Sequence, residues 1–199
     1  MTLRLEVPEG YTSAYASVDQ GNIYIVRNGK AETPTAIGYK AEEDGTYIVY
    51  LDAKNWDDVT DVFVAVRLSN NSESIMFFDY FPYDPANPTR TVTKPDAEFG
   101  ELKVYLGQNG RQVYSPLLFV NCGGHTFTTS AHDKIPVGSY YVGGVDSVYG
   151  SDKSQIYYVF YREVNVAAEG TNVVLAEEEF REYNISNNDS SNSALSLVP

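Results

Sequence analysis

The feature that most constrains this chain is an alternation. Apolar side chains recur at every second position in short runs, and turn residues bound each run. Helical spacing of apolar residues is nearly absent. Successive residues of a strand face opposite sides, so such runs fit sheets with one buried face and one wet face. They fall at 3–7, 23–27, 46–51, 62–68 and 74–81, and again at 102–106, 117–121, 139–142, 155–161, 164–167 and 172–176. Asn28-Gly29 and Asp44-Gly45 carry the signal of tight hairpin turns. The acidic piece AEEEFREY (176–183) is read as extended.

The two sets of strands read as copies. IYIVRNGKAETPT (23–35) lies over PLLFVNCGGHTFT (116–128) at an offset of 93, without a gap. GTYIV (45–49) matches GSYYV (138–142), and DVFVAVRL (61–68) matches SQIYYVFY (154–161), at the same offset. LRLEV corresponds to LKVYL once a short indel is allowed. One offset across three strands points to tandem domains. The seam is MFFDYFPYDPANP (76–88). Period two sends Met76, Phe78 and Tyr80 to one side, and Phe77 and Phe81 to the other. Pro82, Pro85 and Pro88 follow, each without an N–H to donate. The expectation is an all-β chain of two antiparallel sandwiches. The first spans 1–83, a Pro-rich linker 84–100, the second 101–185 and an extended tail 186–199.

Composition narrows the partners. The net charge is −13, and it is spread evenly. Residues 1–90 hold 7 basic and 14 acidic side chains, and residues 91–199 hold 7 and 13, giving −7 and −6. Phosphate affinity comes from lysine and arginine, so nucleic acid is not expected as a partner. No apolar run approaches the length of a membrane-spanning helix, and MTLRLEVPEG passes straight into an alternating pattern. Neither membrane insertion nor a secretion signal is therefore expected. Tyrosine is abundant, at 17 beside 9 Phe and 1 Trp. It suits both half-buried strands and wet interfaces, with its apolar body and polar tip.

HDKIPVGSYYVGGVDSVYG (132–150) holds a Pro-x-Gly-x-Tyr turn into a strand, and FYREVNVAAEGTNVVLAEE (160–178) ends in a strand, a turn and a last strand. In the first copy EEDGTYIVYLD (42–52) is the equivalent. These stretches resemble prealbumin-like sandwiches, the carboxypeptidase-regulatory-like domains, which are close in architecture to immunoglobulin-like ones. The resemblance implies modules of cell-surface proteins, pilus-type subunits and appendages of tailed phages. It implies no activity, and it carries no catalytic residues.

Possible chemistry is thin. Cys122, His125 and His132 are the right types for zinc, but they straddle Gly123-Gly124, and no second ligand pair exists. A Cys-His nucleophile built from them has no marked oxyanion hole. Asp57, Asp58 and Asp61 surround Trp56 without the ligand order of a calcium loop. No nucleophile elbow, phosphate loop or dinucleotide fingerprint is present. No cofactor, metal or enzymatic activity is expected. The expected role is a structural or protein-interaction component of a larger assembly, in a virion or at a cell surface, with itself or other subunits as partners. Carbohydrate binding by a sandwich module is the alternative. Trp56, Phe81 and Tyr83 are the candidate contacts, with Leu195 and Leu197 of the tail as a strand to add to a neighbour's sheet.

Overall fold

The computed structural model describes residues 1–11, 23–107, 110–131, 133–149, 155–176 and 181–184, with backbone alone for 145–149, 155–158 and 181–184. All regular structure among them is β. The N-terminal half forms two four-stranded sheets. The first runs β4 (Ala36–Ala41), β5 (Tyr47–Asp52), β1 (Thr2–Leu5), β8 (Thr89–Val92). The second runs β3 (Lys30–Glu32), β2 (Ile23–Arg27), β6 (Val59–Ser69), β7 (Ser74–Pro82). In the C-terminal half a three-stranded sheet runs β11 (Arg111–Val113), β10 (Leu102–Leu106), β17 (Thr171–Leu175). A five-stranded sheet runs β13 (His125–Ser130), β12 (Leu117–Cys122), β15 (Gly138–Tyr149), β16 (Gln155–Val166), β18 (Arg181–Asn184). A short pair, β9 (Phe99–Gly100) with β14 (Ile135–Pro136), lies between the halves.

The pairing pattern occurs twice. β1 pairs parallel with β8, and β10 pairs parallel with β17, so each half brings an early strand beside a late one. β2 pairs with β3 and β6, as β12 pairs with β13 and β15. The first hairpin turns through Asn28 (φ 49°) and Gly29 (φ 73°), the left-handed pair that a tight hairpin requires. Two matched segments are placed differently from the sequence alignment, which laid β5 over β15 and β6 over β16. β5 pairs with β1 in the first sheet, whereas β15 pairs with β12 in the large one. The counterpart of β15 is β6, and that of β16 is β7.

Thr89–Val92, inside the stretch read as a linker, is a strand. It lies against β1, and the Thr2 N–H donates to the Pro88 carbonyl at 2.8 Å. Val92 closes the N-terminal core beside Leu3, Leu5, Ile23, Ile25, Val49, Val62 and Val64. The two runs expected at 155–161 and 164–167 are one continuous strand, β16, because Arg162 and Glu163 are exposed and do not interrupt its ladder.

The central strand is β6. Val62, Phe63, Val64, Ala65 and Val66 are each no more than 1% exposed. Period two sends Val62, Val64 and Val66 into the N-terminal core, and Phe63 and Ala65 into a second core shared with the C-terminal half. There Phe63 stacks on Phe127 of β13, with centroids 4.1 Å apart and planes within 5°. Tyr24 joins them, and its hydroxyl donates to the Thr128 carbonyl at 3.1 Å. Backbone bonds tie the same halves together. The Met76 N–H donates to the Lys134 carbonyl, and the Lys134 N–H to the Ser74 carbonyl. Arg67 pairs with Asp133, and Lys134 Nζ with Glu73 Oε2 at 2.9 Å.

Glu73 also accepts the Tyr11 hydroxyl at 2.6 Å. The bonds from Tyr11 and Lys134 hold its carboxyl below the usual value of 4.5. Tyr11 is pushed up to about 12, by burial first and then by Glu73. A group that holds its proton more tightly in the folded state stabilises fully below its unfolded value and loses that contribution as pH rises through its folded value. The Tyr11 contribution is therefore lost between the ordinary value of 10.0 and about 12. Over that window the unfolding midpoint should fall more steeply for the wild-type chain than for Tyr11→Phe, as urea titrations at stepped pH will read. Phe63→Ala should cost about 3–5 kcal/mol, because a large ring leaves a cavity between packed sheets. Urea unfolding followed by Trp56 fluorescence measures that loss.

Candidate functional site

Phe81 lies in the N-terminal core at 4% exposure, with the Arg90 guanidinium 4.9 Å over its ring. Trp56 and Tyr83 are half-buried against the same core, 4.8 Å apart and tilted by 37°. The three rings therefore do not present one coplanar exposed platform. Leu195 and Leu197 lie outside the described residues. Asp57 and Asp58 are exposed and take part in local turn bonding: Asn55 Nδ2 donates to Asp58, and the Asp57 N–H to Asn55 Oδ1. Asp61 sits on β6, where it adds to burial in raising the Tyr80 hydroxyl of β7. Among the described residues no group of three or more His, Cys, Asp or Glu could hold a metal ion. Cys122 and His125 face one another across the closing pair of the β12–β13 hairpin, and His132 lies outside the described residues. Burial pushes the Cys122 thiol up, which lowers its thiolate fraction and opposes a nucleophilic role.

The open aromatic surface is elsewhere, on the outer face of the five-stranded sheet. Register puts Phe119 opposite Tyr141, Tyr141 opposite Glu163, and Gly143 opposite Tyr161. All five therefore share one face, since paired residues point the same way. Tyr141 and Tyr161 are 36% and 39% exposed, and their rings stack at 5.2 Å with planes within 4°. Phe119 meets Tyr161 edge-on at 5.3 Å. Gly143 makes this cluster possible. A Cβ there would lie 2.9 Å from a ring carbon of Phe119 and 3.4 Å from one of Tyr161.

Beside the cluster the sheet opens. The ladder between β12 and β15 stops at Phe119↔Tyr141, although β12 runs on to Cys122 and β15 begins at Gly138. The two strands diverge there around a groove of about 250 Å³, lined by Phe119, Val120 and Asn121 on one side and by Ser139, Tyr140, Tyr141 and Glu163 on the other. On the inner side Tyr140 plugs the opening. It packs on Phe78 of β7, and its hydroxyl donates to the Pro136 carbonyl at 2.6 Å. Burial pushes the Tyr140 hydroxyl up to about 12, so it stays neutral and keeps that bond. Tyr161 is raised by burial first, and then by Tyr141 and the Glu163 carboxylate.

Sequence reasoning did not single out Phe119, Tyr141, Tyr161 or Glu163. Alternation could have put Tyr141 opposite in sense to the core residues Tyr140 and Val142. It could not have brought Tyr161 over Gly143, which depends on the long-range register of β15 with β16.

No family model matches the sequence, and no curated protein is similar to it. Among solved structures, BcpA, the major pilin subunit of Bacillus cereus, is similar in its parent form and as a single-residue variant. The variant is 11% identical with a TM-score of 0.28, over 81% of this chain and 56% of the pilin. The parent form is 10% identical with a TM-score of 0.26, over 84% and 57%. The chain thus spans a little over half the length of those pilin chains.

Gly143→Ala should lower stability by about 1–3 kcal/mol, because the added methyl meets both ring and backbone in a packed sheet. Chemical denaturation measures the loss. Shifted Tyr141 and Tyr161 ring resonances in the folded variant would mark displacement of the aromatic cluster.

Proposed function

We propose that this chain is a noncatalytic structural and protein-interaction subunit of a larger assembly, either a cell-surface appendage or a virus or phage particle. The observation that carries the reading is the stacked, partly exposed pair Tyr141 and Tyr161, seated against buried Phe119, on an open sheet face. Tyrosine rings at a surface supply large contact area while their hydroxyls stay wet, which suits interfaces. A rigid mounting adds support. Phe63 against Phe127 and the backbone bonds of β7 with Lys134 hold that face at a fixed angle to the N-terminal half. Fixed geometry lowers the entropic cost of joining an assembly.

The recurring pairing pattern supports two tandem sandwich units. The first runs through β8 and the second begins at β9. In this proposal residues 84–100 are shared between the units, as they supply a strand to each. Trp56 and Tyr83 offer a second, smaller contact on the first unit.

The test is sedimentation of the chain from its native source, followed by mass spectrometry of each fraction. It should travel with a high-mass particle, and proximity cross-links should fall on the five-stranded sheet. A chain found entirely free, at its own mass, refutes the assembly reading.

A further inference from the structure

We propose that the groove between β12 and β15 receives a cationic side chain, lysine or arginine, presented by a partner protein. The inference rests on the assembly reading above and names the chemistry of its contact.

Two features of the site select a cation. The first is aromatic. Phe119 and Tyr141 line the groove and Tyr161 stacks beside them, and a ring face attracts a positive group placed over it. The second is Glu163. Its carboxylate stands directly across the ladder from Tyr141. Among the described residues it makes no ion pair or hydrogen bond. On β12, β13, β15 and β16 no described side chain of this face is a lysine or arginine: β13 contributes Thr126, Thr128 and Ser130, and Arg162 alternates to the opposite face, while the register sets Arg181 of β18 opposite Val159, four residues along β16 from Glu163.

The carboxylate decides among occupants. Any partner that covers this face takes Glu163 out of water. Leaving a buried charge uncompensated is costly, so an apolar or uncharged surface would be penalised there. An anionic one would meet both Glu163 and a chain of net charge −13. A basic side chain satisfies the carboxylate and the rings together. The rim can hold the partner's backbone. Thr126 Oγ1 donates to Asn121 Oδ1 at 2.6 Å, which occupies the amide oxygen and leaves the amide nitrogen as a donor, with the Ser139 hydroxyl across the groove.

The test uses the full chain, isotope-labelled, in NMR titrations with four probes: N-acetyl-lysine amide, N-acetyl-arginine amide, the uncharged N-acetyl-norleucine amide, and glucose. Both cationic probes should shift the Phe119, Tyr141 and Tyr161 ring signals saturably, and added salt should weaken them. Norleucine should bind at least about fivefold more weakly than lysine, and Glu163→Gln should weaken the lysine probe by about fivefold. The substituted side chain is exposed, so unchanged dispersion elsewhere will show the fold intact. Norleucine matching lysine would overturn the proposal as a plain apolar contact. Glucose saturating the rings while the cations do not would replace it with a sugar site, and rings that respond to no probe would also refute it. Sedimentation separates the two readings. A chain that travels with a particle but shows no cation preference loses the groove assignment alone. One that binds the cations and never enters a particle loses the assembly reading alone.

Discussion

The structure depends on a sheet that is buried on both faces. β2, β6 and β7 carry one set of side chains into the N-terminal core and the alternate set into the core shared with the C-terminal half. A sheet with one wet face tolerates polar residues at every second position. A sheet covered twice does not, and β6 accordingly reads Val-Phe-Val-Ala-Val through its middle. This arrangement makes the halves mechanically one object at their junction. Rotating one against the other would open the Phe63–Phe127 stack and break the paired backbone bonds of Met76 and Lys134 in one movement.

The junction explains several isolated features. Gly123 lies at the β12–β13 turn with φ of 57°, and a Cβ there would collide with the Tyr80 ring of the N-terminal half. Cys122 and Tyr140 sit beside the same contact, which is why burial raises both their pKa values. Cys122 and His125, which looked like metal ligands or a nucleophilic pair in the sequence, are thus edge pieces of an aromatic seam. Thr129, the buried polar side chain of this region, has Met76 sulfur 3.6 Å from its hydroxyl across the same seam.

Strands whose side chains alternate between core and water were legible from sequence, since burial itself wrote their pattern. β2, β10 and β12 were found with ends within a residue or so. Strands held mainly by backbone pairing were not. β8 reads Thr-Arg-Thr-Val with Val92 alone buried, and β3 reads Lys-Ala-Glu with every residue exposed. Their hydrogen bonds satisfy the edge of a sheet without leaving an apolar trace. The internal match was legible in part for the same reason. Alternation looks the same in every strand, so it aligned β5 with β15 although the two join different sheets. The aromatic groove was the least legible feature. It requires Gly143, Phe119, Tyr161 and Glu163 to meet, and three strands with long-range registers bring them together.

That register also bears on why an acidic chain would keep such a face open. Directly opposed residues on a sheet have Cβ atoms about 5 Å apart, so Glu163 is held against Tyr141 wherever its carboxylate turns. An exposed tyrosine patch alone would attract apolar surfaces of many kinds. The adjoining carboxylate makes each of them bury a charge without compensation, and the divergence of β12 from β15 restricts what can approach it to a narrow side chain rather than a flat surface. Attraction from the rings and exclusion by the carboxylate act at the same spot. A face built that way remains soluble when empty and discriminates when filled, and both properties follow from where one glycine lets two rings lie.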